Sequence, residues 1–198
     1  MRVGDDPRAA QNNRRRTARA IGFDPRRLAL ARGIHGADII EAGPRDRGVI
    51  GEADGLVTRS PGAVLGVLSA DCAAVVLAGR GGLAVIHAGW RGLVAGIVER
   101  GLHAVGPVWG AWIGPSIHAC CYEVGPDVVG AFARRGLRID GPDRVDPGRA
   151  AEDVLARAGV EQIAVDDECT HCSDDLYSYR RDGVTGRHGA FAALLQTR

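Results

Sequence analysis

Three short segments carry side chains able to hold a metal ion or act as a nucleophile. They are Gly33-Ile34-His35-Gly36, Ser69-Ala70-Asp71-Cys72 and Ile86-His87-Ala88-Gly89-Trp90-Arg91-Gly92. Each stands at the end or break of an apolar run, where a strand delivers its last side chains into a cleft. One thiol and two imidazoles, His35, Cys72 and His87, make a set that zinc accepts, with a fourth position left for water. Water held there ionises near pH ~7 and becomes a usable nucleophile. The same residue types have plainer uses. A His at a strand end can simply complete a hydrogen-bond network, and a lone Cys packs as a small hydrophobe. A third use is covalent, with Cys72 as nucleophile and His87 or His35 as its base. Spacing alone leaves these readings open.

The turn at 89–92 adds a second kind of chemistry. Its glycines let a strand feed tightly into a helix and leave backbone amides free at the helix start. With Arg91 beside them, they suit an anion such as phosphate, unless Arg91 is only a solvated surface residue. Asp71, next to Cys72, is placed either to orient a ligand or carry a proton, or merely to cap a local turn. The other four cysteines fall as Cys120-Cys121 and Cys169-Thr170-His171-Cys172. Together they offer ligands for a second, structural zinc site: the C-x-x-C spacing is right for one half of it, but an adjacent pair is poor for the other, since neighbouring side chains on an extended segment point apart. A redox pair at Cys169 and Cys172 lacks a thioredoxin-like context. Packing or incidental thiols are therefore the expectation for these four.

The elements that must position these groups are short. Asp6 and Pro7 read as cap and first residue of a helix ending at Gly22. Its crowded arginines (Arg8, Arg14, Arg15, Arg16, Arg19) have no interleaved aromatic residue for base stacking, so a solvated face is expected rather than an RNA surface. Apolar runs at 28–31, 39–41, 56–58, 64–68, 73–78, 83–87, 108–113 and 162–165 read as strands. A helix is predicted over 93–105, with Leu93, Val94, Ile97, Val98, Leu102 and Val105 on one face. Further helices are predicted at 125–135 and 147–158. The segments 176–180 and 190–195 flank a turn-rich stretch and suggest a closing hairpin. Strands outnumber helices without strict alternation, which predicts an α+β fold with a mixed sheet in one domain.

Composition removes several classes of function. All 25 basic residues of the 198 are arginine, so Schiff-base lysines, pyridoxal-phosphate lysines and Walker-type phosphate lysines are excluded. Met1 is the only methionine, which leaves no axial thioether for a blue-copper site. Net charge is +1, giving no global pull toward nucleic acid. No run approaches the ~20 apolar residues of a membrane span, and residues 1–5 are not a secretory signal. Five cysteines, an odd number, argue against a disulfide framework. A cytoplasmic location is expected.

Four motifs resemble one family, in the same order along the chain. They are SADC at 69–72, IHAGWRG at 86–92, IGPSIHACCYEVG at 113–125 and YSYRRDGVTGRHG at 177–189. The family is the laccase-domain family, of multicopper polyphenol oxidase type, also described as purine nucleoside phosphorylase or peptidoglycan editing factor. GDDP at 4–7, IHG at 34–36 and ADGLVT at 53–58 support the match, which covers nearly the whole chain. The resemblance implies one domain over 1–198, a mixed β-sandwich flanked by helices, with a single zinc held by His35, Cys72 and His87. It implies phosphorolysis of adenosine, inosine, guanosine and methylthioadenosine, and deamination of adenosine, with a purine nucleoside and phosphate as partners. No nucleic acid, membrane or obligate protein partner is expected. In this reading Arg91 binds phosphate or the sugar's anionic side, Asp71 contacts substrate or carries a proton, and zinc is favoured over the copper of the older phenol-oxidase assignment.

The sequence departs from the family at two places. Family members begin some tens of residues earlier, so the chain reads as short at its N-terminus, with a sheet edge expected to be exposed and a pocket wall absent. Gly33 stands where Gln commonly precedes the His element. Two alternatives follow: a cysteine hydrolase using Cys72 with His87, including editing of peptidoglycan precursors, and a zinc-binding relative without turnover.

Overall fold

Helix α1 (Pro7–Ile21) forms where the chain caps itself. The Asp6 carboxylate accepts from the Arg8 N–H at 2.9 Å, and Gly22 ends the helix in the left-handed region at φ 87°. Only Ala18 of this helix is buried, so its arginines project into solvent. The computed structural model describes residue 4 and residues 6–195. The readings of residues 1–5 and of the 4–7 motif therefore fall partly outside the described residues.

Among the described residues ten strands follow: β1 (Leu28–Arg32), β2 (Ile39–Glu41), β3 (Gly48–Glu52), β4 (Gly55–Thr58), β5 (Val64–Ser69), β6 (Ala73–Gly79), β7 (Gly82–Ala88), β8 (Val108–Ile113), β9 (Ile163–Val165) and β10 (His188–Ala193). Between them lie α2 (Trp90–Ala95), α3 (Ile97–Val105), α4 (Pro126–Arg135), α5 (Pro147–Arg157) and the short α6 (Tyr179–Asp182). The strands form two mixed sheets, ordered β10-β5-β1-β3 and β2-β4-β7-β6-β8-β9. Small and branched side chains from both, among them Ala29, Leu56, Leu65, Val67, Ala74 and Val85, close the gap between the sheets. The opposite face of the six-stranded sheet packs Val75, Leu77 and Ile86 against Leu93, Ile97 and Leu155 of the helices. This is the α+β fold of mixed sheets flanked by helices that the sequence implies. Among the described residues no helix is long and apolar enough to cross a membrane.

Three elements differ from the sequence reading. The helix predicted over 93–105 begins at Trp90 and breaks at Gly96, whose φ of 84° and N–H bond to Leu93 O close one helix and start the next. Strand β3 escapes the apolar pattern because glycines flank its two branched residues, Val49 and Ile50. The closing hairpin is corrected: 176–180 is not a strand, and β10 pairs antiparallel with the distant β5. The cause lies in Arg181, whose guanidinium donates to the carbonyls of Thr170, Ser173 and Leu176 and bends the segment into a turn. Sequence proximity could not compete with that non-local anchoring.

The β6–β7 hairpin, which carries Cys72 before it and His87 within it, depends on Gly82. Its φ is 140°, and a Cβ there would lie 2.2 Å from Thr58 O. Gly82→Ala is expected to cost about 3 kcal/mol, from backbone strain and a backbone clash that no rotamer relieves. Chemical denaturation checks this, and an unchanged midpoint contradicts it.

Candidate metal centre

Topology brings His35, Cys72 and His87 together. His87 lies in β7 and Cys72 immediately precedes β6, while His35 sits in the turn after β1. One donor atom from each lies within 4.8 Å of the others, and the two imidazoles meet edge to face with centroids 5.1 Å apart.

Asp54, just before β4, organises the cluster. Its side chain is fully buried, and Oδ1 lies 2.8 Å from His87 Nδ1. The same oxygen accepts from the His35 N–H at 3.0 Å, and Oδ2 accepts from Ile34 and Gly36 at 3.0 and 2.7 Å. One carboxylate therefore fixes the His87 ring and wraps the His35 turn around itself. That turn needs fixing, because His35 is left-handed at φ 59°. With Nδ1 engaged by Asp54, His87 presents Nε2 to the cluster, the arrangement of a metal-ligating imidazole oriented by a carboxylate.

The electrostatics agree with this geometry. Burial pushes the Cys72 thiol up, but hydrogen bonds and charge from His35 and His87 outweigh it, and the pKa falls from 9.0 to about 6. Burial pushes His87 down, but Asp54 and Cys72 outweigh that too, and it rises from 6.5 to about 9. Burial also works against the Asp54 carboxylate, yet His87 and the Gly36 and Ile34 amides hold it below its ordinary value. Without metal, Cys72 and His87 form a thiolate–imidazolium pair near neutral pH. A thiolate is the form in which cysteine binds a metal.

Asp71 supports Cys72 from the other side. It is left-handed at φ 82°, and its oxygens accept from Thr170 Oγ1 and the Arg180 N–H, both at 2.7 Å. Both oxygens of the group expected to touch substrate, carry a proton or cap a turn thus hold the 170–180 segment against the metal centre. Ser69 Oγ donates to Cys72 O. Gly89 leaves room for the cluster: a Cβ there would stand 2.9 Å from Cys72 Sγ and 3.3 Å from His35 Cδ2. Gly33 is similarly confined, with a Cβ 3.2 Å from Asp54 Oδ1. Arg91 is exposed in the first turn of α2, its guanidinium 4.4 Å from the centroid of the Trp90 ring.

Sequence reasoning missed several residues. Asp54 lies inside the ADGLVT motif, and its signal is a carboxylate set between small residues at a strand start, a buried position that demands donors. Tyr122 lies close enough to feel the Cys72 charge, and the Arg180 guanidinium sits 5.0 Å over its ring. His188 has both ring nitrogens buried without a partner among the described residues, and burial lowers its pKa. The structure also gathers Cys120, Cys121, Cys169 and Cys172 into one cluster, against the expectation of unrelated thiols.

Comparison with known proteins agrees with the fold and the motifs. A family model described as multi-copper polyphenol oxidoreductase laccase matches residues 1–195. A Streptomyces coelicolor protein named purine nucleoside phosphorylase SCO2081 is 36% identical over 210 residues, covering 97% of this chain and 85% of its own. Escherichia coli YfiH, also named a purine nucleoside phosphorylase, is 34% identical over 97% of this chain and 84% of its own. The crystal structure of YlmD from Geobacillus stearothermophilus superposes with a TM-score of 0.89 at 31% identity, over 99% of this chain and 84% of that one. The chain belongs to the multi-copper polyphenol oxidoreductase laccase family, the family that also includes these YfiH-type proteins.

Proposed function

We propose that the chain is a zinc-dependent purine nucleoside phosphorylase. Its substrates in this reading are adenosine, inosine, guanosine and methylthioadenosine, with adenosine deamination as a second activity and the cytoplasm as its place of action. The carrying observation is the convergence of His35, Cys72 and His87 within 4.8 Å, with Asp54 on the back of His87. Two imidazoles and a thiolate suit zinc, and a sequence whose only methionine is Met1 offers no axial thioether to favour blue copper. The names of the relatives support the substrate class.

In phosphorolysis a phosphate oxygen attacks the ribose anomeric carbon, the glycosidic bond breaks, and its electron pair passes to the departing purine, which takes up a proton. His35, Cys72 and His87 would hold the zinc, which would supply a Lewis acid for the departing purine. Asp54 keeps the His87 ring and the His35 turn in register, so the donors need no reorganisation during the reaction. Asp71 fixes the backbone that presents Cys72. Arg91, exposed in the first turn of α2, is the cation this reading gives to phosphate, and a planar guanidinium fits two phosphate oxygens at once.

A second reading rests on the depressed Cys72 thiol: a metal-free cysteine hydrolase with His87 as its acid–base partner. One assay separates the two. Free-base release from adenosine and inosine is followed with and without inorganic phosphate, after metal removal, and after thiol alkylation in the metal-free state. Phosphorolysis predicts absolute phosphate dependence and a fall of about 100-fold or more on metal removal, reversed by zinc. Full turnover without metal, abolished by alkylation, contradicts it and favours the hydrolase.

A further inference from the structure

The four cysteines outside the proposed active centre converge from two loops. One is the connection 114–125 between β8 and α4, and the other is the connection 166–178 between β9 and α6. Cys120 Sγ lies 3.5 Å from Cys121 Sγ and 3.8 Å from both Cys169 Sγ and Cys172 Sγ, and Cys121 lies 3.3 Å from Cys172. All four sulfurs fall within 4.8 Å of one another. A zinc–thiolate bond of about 2.3 Å gives a tetrahedron whose sulfur–sulfur edges are about 3.8 Å. Two of the four edges, at 3.8 Å, match that value, and the other two, at 3.5 and 3.3 Å, fall somewhat short of it. All four are well beyond the roughly 2.0 Å of a disulfide.

We propose that Cys120, Cys121, Cys169 and Cys172 form a second, structural zinc site with four thiolate ligands.

Local backbone explains how an adjacent pair can serve. Cys121 and Tyr122 both donate their N–H to His118 O, at 3.0 and 2.9 Å, so the pair stands on a helical turn. Successive side chains there diverge by about 100° rather than the roughly 180° of a strand. The C-x-x-C half is also turned: Cys172 and Ser173 donate to Cys169 O at 3.1 and 3.0 Å. Backbone amides then surround the most buried sulfur. The His118 N–H reaches Cys169 Sγ at 3.4 Å, and the amides of Cys172 and His171 also donate to it. Such N–H groups stabilise a metal-bound thiolate.

Four thiolates on one divalent zinc leave a net charge of about −2, and two arginines stand beside the loops, each also paired with a carboxylate: Arg144 with Glu123 and Asp143, and Arg181 with Asp182. Arg144 donates to the carbonyls of Ala119 and Cys120, and Arg181 to those of Thr170, His171 and Ser173. Simple packing does not account for the cluster, since Cys120 and Cys172 are exposed.

The consequence reaches the other centre. The two loops joined by the cysteines also hold Asp71, through Thr170 Oγ1 and through the Ile117 N–H on Asp71 O at 2.9 Å. A zinc staple here orders the loops that keep Cys72 in place.

Cys72→Ala protein, purified under reducing conditions, isolates the second site because it lacks a ligand of the first. It is expected to retain about one zinc per chain. Cobalt replacing that zinc should show intense thiolate-to-cobalt absorption, lost in Cys72→Ala protein that also carries Cys121→Ser and Cys172→Ser. In the otherwise unaltered chain, Cys121→Ser with Cys172→Ser should remove one equivalent and leave the other. If these serine variants do not fold, the cobalt spectrum of Cys72→Ala decides alone. Retention of no zinc, cobalt absorption without thiolate character, or an intact mass two hydrogens light from a Cys121–Cys172 disulfide in the reduced protein overturns the proposal.

Discussion

Asp54→Asn is expected to weaken zinc binding at the His35/Cys72/His87 centre about 10–100-fold. The carboxylate carries four contacts, two on each oxygen: His87 Nδ1 and the His35 N–H on Oδ1, and the Ile34 and Gly36 N–H groups on Oδ2. An amide offers one oxygen and one NH2 group. Whichever way it turns, the NH2 faces groups that are themselves donors, or frees the His87 ring. Losing charge-assisted bonds to a buried partner is worth about 3 kcal/mol here. For a chain of this size that lowers Tm by about 6–12 °C. Zinc titration against a competing chelator and a thermal melt read the two effects separately. Wild-type values for both would mean that Asp54 neither orients His87 nor holds the His35 turn.

Cys72→Ala should have the larger effect on the metal and a smaller one on the fold. Structural zinc sites bind with about 10–16 kcal/mol shared among four ligands, or roughly 3 kcal/mol each. Removing the only thiolate among three protein ligands should therefore raise the Kd by more than about 100-fold. The variant also removes one of the two charge partners of His87, so with Asp54 still in place the imidazole pKa should fall below about 9. Alanine fits the space of the thiol, and the Asp71 bonds run through backbone and carboxylate that the change does not touch. Base release from nucleosides should disappear while the melting curve of the metal-free protein stays near that of the parent. Loss of activity with zinc fully retained would assign Cys72 a covalent role instead.

Much of the fold is legible from local chemistry. Asp6-Pro7 and Gly22 bound α1, and Asp146-Pro147 starts α5, because capping is decided by neighbouring residues. The runs at 39–41 and 108–113 become β2 and β8 unchanged. What failed was non-local. Residues 176–180 are bent by Arg181 onto carbonyls several residues back, and β10 finds its partner in β5, more than a hundred residues upstream. The donors His35, Cys72 and His87 stood out by type, but Asp54 did not. A carboxylate's role is set by what the fold buries around it, and the pattern Ala53-Asp54-Gly55 is equally that of a surface turn. The adjacent cysteines misled for a related reason: an extended backbone was assumed where the His118 carbonyl winds a turn.

The most direct test of the metal centre is the zinc content of protein purified without a metal-binding tag, compared between the parent chain and Cys72→Ala. The parent should carry one more zinc per chain than the variant, and the difference should accompany phosphate-dependent release of purine base. Equal zinc in the two proteins, with the parent folded and active, would contradict a metal centre built on His35, Cys72 and His87.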